Sequence, residues 1–191
     1  MPTNSVFPTP IYAEMALNDE YEEIQSELTE ALQCLDFHHP SLGDGHDLSL
    51  GEDGTLFSDN VLEKYKCYKF LTFLYKNVMR YVADLGYFNY DNLVPYEEFM
   101  SNDYQDNLDF PHQYLVQQSW FTKTNYGQYA PMHYHGSVDI SGVYYLQTNE
   151  RDGNLTFYSP TKELISSFIY GLVDDKIEFP LKQGLLALWP G

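Results

Sequence analysis

The chain has 191 residues, of which 43% are hydrophobic and 17% aromatic, enough for one globular domain with a full core and too much for a disordered chain. Twenty-eight acidic against ten basic residues give a formal charge of −18, so long-range repulsion disfavours bare phosphate backbones and anionic membrane surfaces as partners. Cys34 and Cys67 form no Cys-x-x-Cys pair, which fits a reducing cytoplasm, and neither a basic leader with an apolar stretch nor a run of ~18 apolar residues is present to suggest export or a membrane span.

The opening residues 5–13 carry apolar groups broken by Pro8 and Pro10, a pattern for an edge strand, since proline withholds a ladder donor. Asn18 is the expected cap of a first helix. Asp19, Glu20, Glu22 and Glu23 suit its first turn, and Tyr21, Ile24, Leu28, Leu32 and Leu35 form one apolar stripe. Residues 36–57, rich in glycine, aspartate and histidine, read as a loop. Ser58 and Asp59 are expected to open the longest helix, with Leu62, Tyr65, Leu71, Leu74, Val78, Tyr81, Val82 and Leu85 inward and Gly86 as the stop. Residues 87–110 turn acidic and Asn/Asp-rich, as expected of a connection or lid.

From Pro111 the period changes from helical to alternating. Strands are expected over 114–124, 142–148, 154–158, 164–173 and 176–180, with Asp152 and Gly153 as a hairpin turn. Helices first and antiparallel strands second give an α+β fold in a single domain over 1–191, with a helical part (1–110) bracing a jelly-roll or distorted barrel core (111–191).

Within that β-rich part, His133 and His135 are separated by one residue. On an extended backbone they emerge on the same face and can close on one metal ion, while Tyr134 points away. Asp139, four residues on, can be folded back by the Gly136–Val138 link. Two imidazoles and a carboxylate form the facial set that leaves open positions on non-haem Fe(II). The competing reading makes the histidines ordinary strand residues and Asp139 a turn residue.

Gly127, His133 and His135, followed by Ser141-Gly142-Val143-Tyr144-Tyr145-Leu146 and by Gly153, Leu155, Phe157 and Pro160, resemble the Fe(II)- and 2-oxoglutarate-dependent oxygenases. The likeness is to the family marked by His-x-His and a Ser-Gly-Val-Tyr-Tyr-Leu run, and the N-terminal residues Val6 to Tyr12 are similar to that family's opening. The resemblance implies a double-stranded β-helix and a dioxygenase that couples oxidative decarboxylation of 2-oxoglutarate to hydroxylation of a protein side chain or small molecule. It implies metal ligation by His133, His135 and Asp139, a hydrogen bond from Tyr145 to the far carboxylate of 2-oxoglutarate, and Trp120 as a pocket wall. Members are often phage-encoded, which implies a host cytoplasm. The family also carries a later histidine and a basic residue, whereas no histidine follows His135 here. The chain is therefore expected to be truncated near Gly191, the Trp189-Pro190-Gly191 strand otherwise leaving an unpaired edge. His112 is a conceivable but poorly placed substitute. Two other functions stay open. A cupin-like metal protein without 2-oxoglutarate fits Gly127, His133, His135 and Asp139 with Gly184 and Pro190, and a non-catalytic interaction module fits the acidic surface.

Overall fold

A computed structural model of the chain describes residues 9–38, 47–49, 60–85, 115–136, 138–158 and 176–191. The expected 87–110 connection, the 164–173 strand, most of the 36–57 loop, Gly86 and His112 lie outside the described residues. The elements in order are β1 (Tyr12–Met15), α1 (Asn18–Gln33), β2 (Phe37–His38), β3 (Asp47–Ser49), α2 (Val61–Lys64), α3 (Tyr68–Asp84), β4 (Thr122–Lys123), β5 (Ile140–Tyr144), β6 (Asn154–Tyr158), β7 (Lys176–Pro180) and β8 (Leu185–Pro190). No described helix is long and apolar enough to cross a membrane.

The architecture is a mixture of helices and antiparallel sheets. Sheet order is β1-β8-β5, β2-β3-β4 and β6-β7, and among the described residues these three sheets do not close into a barrel. β1 sits at an edge, and its pairing begins at Tyr12, past Pro10. β8 is the centre of its sheet, with Leu188 opposite Tyr12 on one side and Gly142 on the other. β8 is laddered on both sides over Leu185–Leu188, and beyond that Trp189 and Pro190 pair only with β5, opposite Ser141 and Ile140.

Alternation gives this sheet two different faces. Tyr12, Tyr144, Leu186 and Leu188 pack against the helices, joining Ile24, Leu28 and Ala31 of α1 and Phe70, Leu71 and Phe73 of α3 in one core. Tyr144 lies 4.9 Å from the Phe70 ring and accepts a hydrogen bond from Gln25 Nε2 at 3.2 Å. On the opposite face Trp189 meets Phe157 of β6 at 5.1 Å, and Phe157 meets Phe179 of β7 at 5.8 Å. Each large apolar side chain so buried contributes roughly 1.5–3 kcal/mol. Gly142 permits the close β5–β8 approach: a Cβ there would stand 2.6 Å from Leu188 Cδ2. Gly184, at φ +87, turns the chain into β8 against the Tyr21 ring.

Several expectations are corrected. Asn18 does not cap α1: Leu17 holds that position with no side-chain bond, and Asn18 is the first helical residue at φ +54. The single long helix from Ser58 is two, broken at Lys66 (φ +54). The break is stabilised from α1, where the Glu27 carboxylate accepts the Lys69 and Phe70 amides, both at 2.9 Å, and so caps α3 from a distance of 42 residues in sequence. Burial on α3 reaches beyond one stripe because β1 covers a second side. Tyr12 Oη donates to Asn77 Oδ1 at 2.7 Å, and Asn77 Nδ2 donates to the Phe73 carbonyl at 2.8 Å, satisfying an amide with no solvent exposure.

The expected 114–124 strand shrinks to Thr122–Lys123 and one parallel bridge between Ser119 and Asn60. Its polar groups serve the start of α2 instead of a ladder. The Ser119 carbonyl accepts from the Val61 amide at 3.2 Å, Ser119 Oγ accepts from the Leu62 amide at 3.0 Å, and the Val116 carbonyl accepts from Asn60 Nδ2 at 2.6 Å. The turn before β6 forms, with Asp152 Oδ2 accepting the Asn149 amide at 2.7 Å, but it is no hairpin. β5 pairs with β8 and β6 with β7, so Asp152 and Gly153 carry the chain from one sheet to another.

Candidate functional site

The segment that leads into the histidines is held at both sides of Trp120. Ser119 binds the start of α2, and Phe121 exchanges backbone hydrogen bonds with Ser49, its amide donating to Ser49 Oγ and its carbonyl accepting the Ser49 amide, both at 3.0 Å. Phe121 packs against the core, so alternation sends Trp120 to the other side, where its ring centroid lies 6.4 Å from that of His135. Next comes a turn in which the Gln128 amide donates to the Asn125 carbonyl at 3.0 Å. The side-chain amides of both residues reach the Asp47 carboxylate, at 3.2 and 3.3 Å.

His133 and His135 belong to no strand, yet their rings come together with centroids 5.0 Å apart and planes at 80°. Tyr134 between them is exposed. The His133 Nδ1 lies 2.8 Å from the Pro131 carbonyl, which can only accept. Nδ1 is therefore the donor, and in the neutral ring Nε2 is the nitrogen with the lone pair for a ligand. Burial, and then the neighbouring His133, lower the pKa of half-buried His135, favouring the neutral imidazole that binds metals. Two imidazoles held at about 2.1 Å on adjacent positions of one ion have ring centroids about 4.5–5 Å apart, so the pair fits a first-row metal in chemistry and spacing.

Asp139 is exposed at the entry to β5, where its carbonyl accepts the Gly191 amide at 3.2 Å. No three His, Cys, Asp or Glu side chains among the described residues gather into a metal-binding group, so Asp139 stands outside the imidazole pair in this arrangement. Tyr145 continues the β5 ladder, its amide donating to the Leu185 carbonyl at 3.0 Å and its carbonyl accepting from Gly184 at 2.8 Å. It points away from the helices, opposite to Tyr144, and burial pushes its phenol up to about 12. An open groove of about 600 Å³ lies elsewhere, lined by Glu23, Glu27, Glu30, Tyr65 and Lys69. Its carboxylates serve structure: Glu27 caps α3 and Glu23 pairs with Lys69 at 3.2 Å.

Sequence reasoning missed the Pro131 carbonyl, because a main-chain acceptor leaves no signature. It also missed the exposed aromatic cluster at 126–134, for which the density of tyrosine was an available signal. No curated protein and no solved structure matches the chain. Residues 118–191, the stretch that holds Trp120, both imidazoles, Asp139 and Tyr145, match the family model described as "Putative 2OG-Fe(II) oxygenase", and this similarity supports an oxidoreductase that uses iron and 2-oxoglutarate.

Proposed function

We propose that the chain is an Fe(II)- and 2-oxoglutarate-dependent dioxygenase whose C-terminal half is a double-stranded β-helix, working in a reducing cytoplasm on a protein side chain or small molecule. The observation that carries this reading is the His133–His135 pair, 5.0 Å apart with one imidazole tautomer fixed, inside the matched stretch. His133 and His135 supply two nitrogen donors, and Asp139, four residues on and outside the pair in this arrangement, would have to turn toward it to supply the carboxylate. Fe(II) with 2-oxoglutarate, when bound, would use molecular oxygen as the oxidant, one oxygen atom going to the succinate left by decarboxylation of the cosubstrate and the other to hydroxylation of a substrate C–H bond.

The chain's own residues have separate tasks. The Pro131 carbonyl holds the proton on His133 Nδ1, so the imidazole cannot turn its other nitrogen away without losing that bond. Tyr145 Oη–H stays protonated at neutral pH and can donate to a carboxylate of the cosubstrate, on the sheet face away from the helices. Trp120, fixed through Ser119 and Phe121, walls one side of the site beside His135.

The test is anaerobic addition of Fe(II) and 2-oxoglutarate to the full chain. A weak visible charge-transfer band is expected in the wild type and is lost in His133→Ala and His135→Ala. No band in the wild type overturns the reading, and metal-dependent turnover that needs no 2-oxo acid replaces it with the cupin-like one.

A further inference from the structure

We propose that the tyrosine-rich rim beside the imidazole pair docks a cationic polypeptide segment, so that the substrate is a lysine- or arginine-rich protein. The docking stands on the surface alone; the word substrate rests on the oxygenase reading.

Ten large hydrophobic or aromatic residues are exposed among the described residues, and four of them fall within nine consecutive positions. These are Tyr126 at 102%, Tyr129 at 67%, Met132 at 77% and Tyr134 at 91%. The remaining six are spread over the rest of the described chain, as single exposed apolar residues normally are. A concentration of this kind marks an interaction surface. It is presented from a fixed base, because Asn125 and Gln128 tie the turn to Asp47. It also brackets His133 in sequence, and Tyr134 stands between the two imidazoles, so a segment that contacts Tyr134 reaches the residues next to the pair.

Charge selects the occupant. Residues 125–136 contain no Asp, Glu, Lys or Arg, so the rim itself offers aromatic faces, thioether and side-chain amides. Exposed aromatic rings could stack nucleic-acid bases, but a chain of formal charge −18 repels a phosphate backbone. The same field draws in a cation, and lysine and arginine side chains settle over tyrosine rings through the ring quadrupole. Tyrosine further supplies a large, amphipathic contact area at small conformational cost, the property that suits it to polypeptide recognition. Behind the turn Asp47 stands opposite Lys123 in the β3–β4 ladder, so the charge that draws a cation is the chain's net −18.

The experiment uses the full chain in chelator, without metal, and fluorescence anisotropy of labelled peptides of about 12 residues. The peptides share one backbone sequence and carry four lysines, four glutamates or neither. The lysine peptide is expected to bind tightest, with an affinity that falls as salt rises. The triple variant Tyr126→Ala, Tyr129→Ala, Tyr134→Ala should weaken that binding about tenfold, the loss of two or three cation–aromatic contacts. Its thermal melting should match the wild type, and Tyr68→Ala, an exposed tyrosine on α3, should bind like the wild type. Equal binding of the three peptides, unchanged affinity in the triple variant, or rim-dependent self-association by sedimentation would each overturn the proposal, the last by making a second copy the occupant. Because no metal is present, failure here leaves the charge-transfer test standing, and a missing band leaves this binding standing.

Discussion

β8 and the 125–136 loop stand in opposite relations to solvent. Leu185 to Leu188 are all buried and laddered on both sides, and Leu186 and Leu188 pack on the helices. The loop pushes Tyr126, Tyr129, Met132 and Tyr134 outward, and its described hydrogen bonds are local or run to Asp47. Stability therefore resides in the interlock of β8 with α1 and α3. The candidate chemistry rides on a segment fixed at its ends, by Ser119 and Phe121 before it and β5 after it. Such a division lets the site change without unfolding the protein.

The widest separation of the two regions comes from paired truncations. Leu188→Ala removes a side chain 1% exposed at the centre of the core and should cost about 2–5 kcal/mol in urea unfolding. His133→Ala, at an exposed loop position, should stay within about 0.5 kcal/mol of the wild type while losing metal binding by calorimetry. Comparable destabilisation by both would mean that the loop belongs to the cooperative core.

The two cysteines repeat the contrast chemically. Cys67 is fully buried at the break before α3, where burial, and then the Glu27 carboxylate, push its thiol up to about 12, whereas Cys34 is exposed. Against an ordinary thiol pKa of ~8.5, that lowers the thiolate fraction by about three orders of magnitude. At pH 8 one equivalent of a thiol reagent should therefore enter quickly, at Cys34, and the second only on unfolding, as peptide mass mapping would establish. The sign for stability follows. The folded pKa lies above the unfolded one, so the contribution is whole below the unfolded value and declines as pH rises towards 12. Early double labelling in the native state would place Cys67 outside the core.

How much of this was legible beforehand depends on which interactions are local. Periodicity located α1 and the buried face of α3, because Ile24, Leu28, Leu71 and Val82 follow the helical repeat. Alternation located β5, β6 and β7, and the one-residue spacing of His133 and His135 anticipated two rings brought together. Distant partners were not legible. The cut between α2 and α3 depends on Glu27, 42 residues before Lys69, and the loss of the 114–124 strand depends on Ser119 satisfying amides of α2. The hairpin at Asp152 failed for the same reason, since turn residues specify a reversal but not the strand that accepts it. At the site, spacing proposes Asp139 as the partner of the imidazoles, and among the described residues no third such side chain gathers with the pair, a matter of side-chain direction that short-range patterns do not encode.

Smaller effects sharpen the contrast within the helical layer, where two glutamates one turn apart on α1 meet the same end of α3. Glu27 accepts two backbone amides that have no helical partner, so Glu27→Ala should cost about 1–2 kcal/mol. Glu23 holds the Lys69 ammonium at 3.2 Å with both side chains more than half exposed, so water and salt screen the pair and lysine entropy opposes it. Glu23→Gln should shift unfolding by no more than about 0.5 kcal/mol, and that small shift should vanish in about 0.5 M salt while most of the Glu27 effect persists. Equal losses for the two would make α3 depend on the general negative charge of α1, and the short bonds to Lys69 and Phe70 would then be a consequence of the packing and not one of its causes.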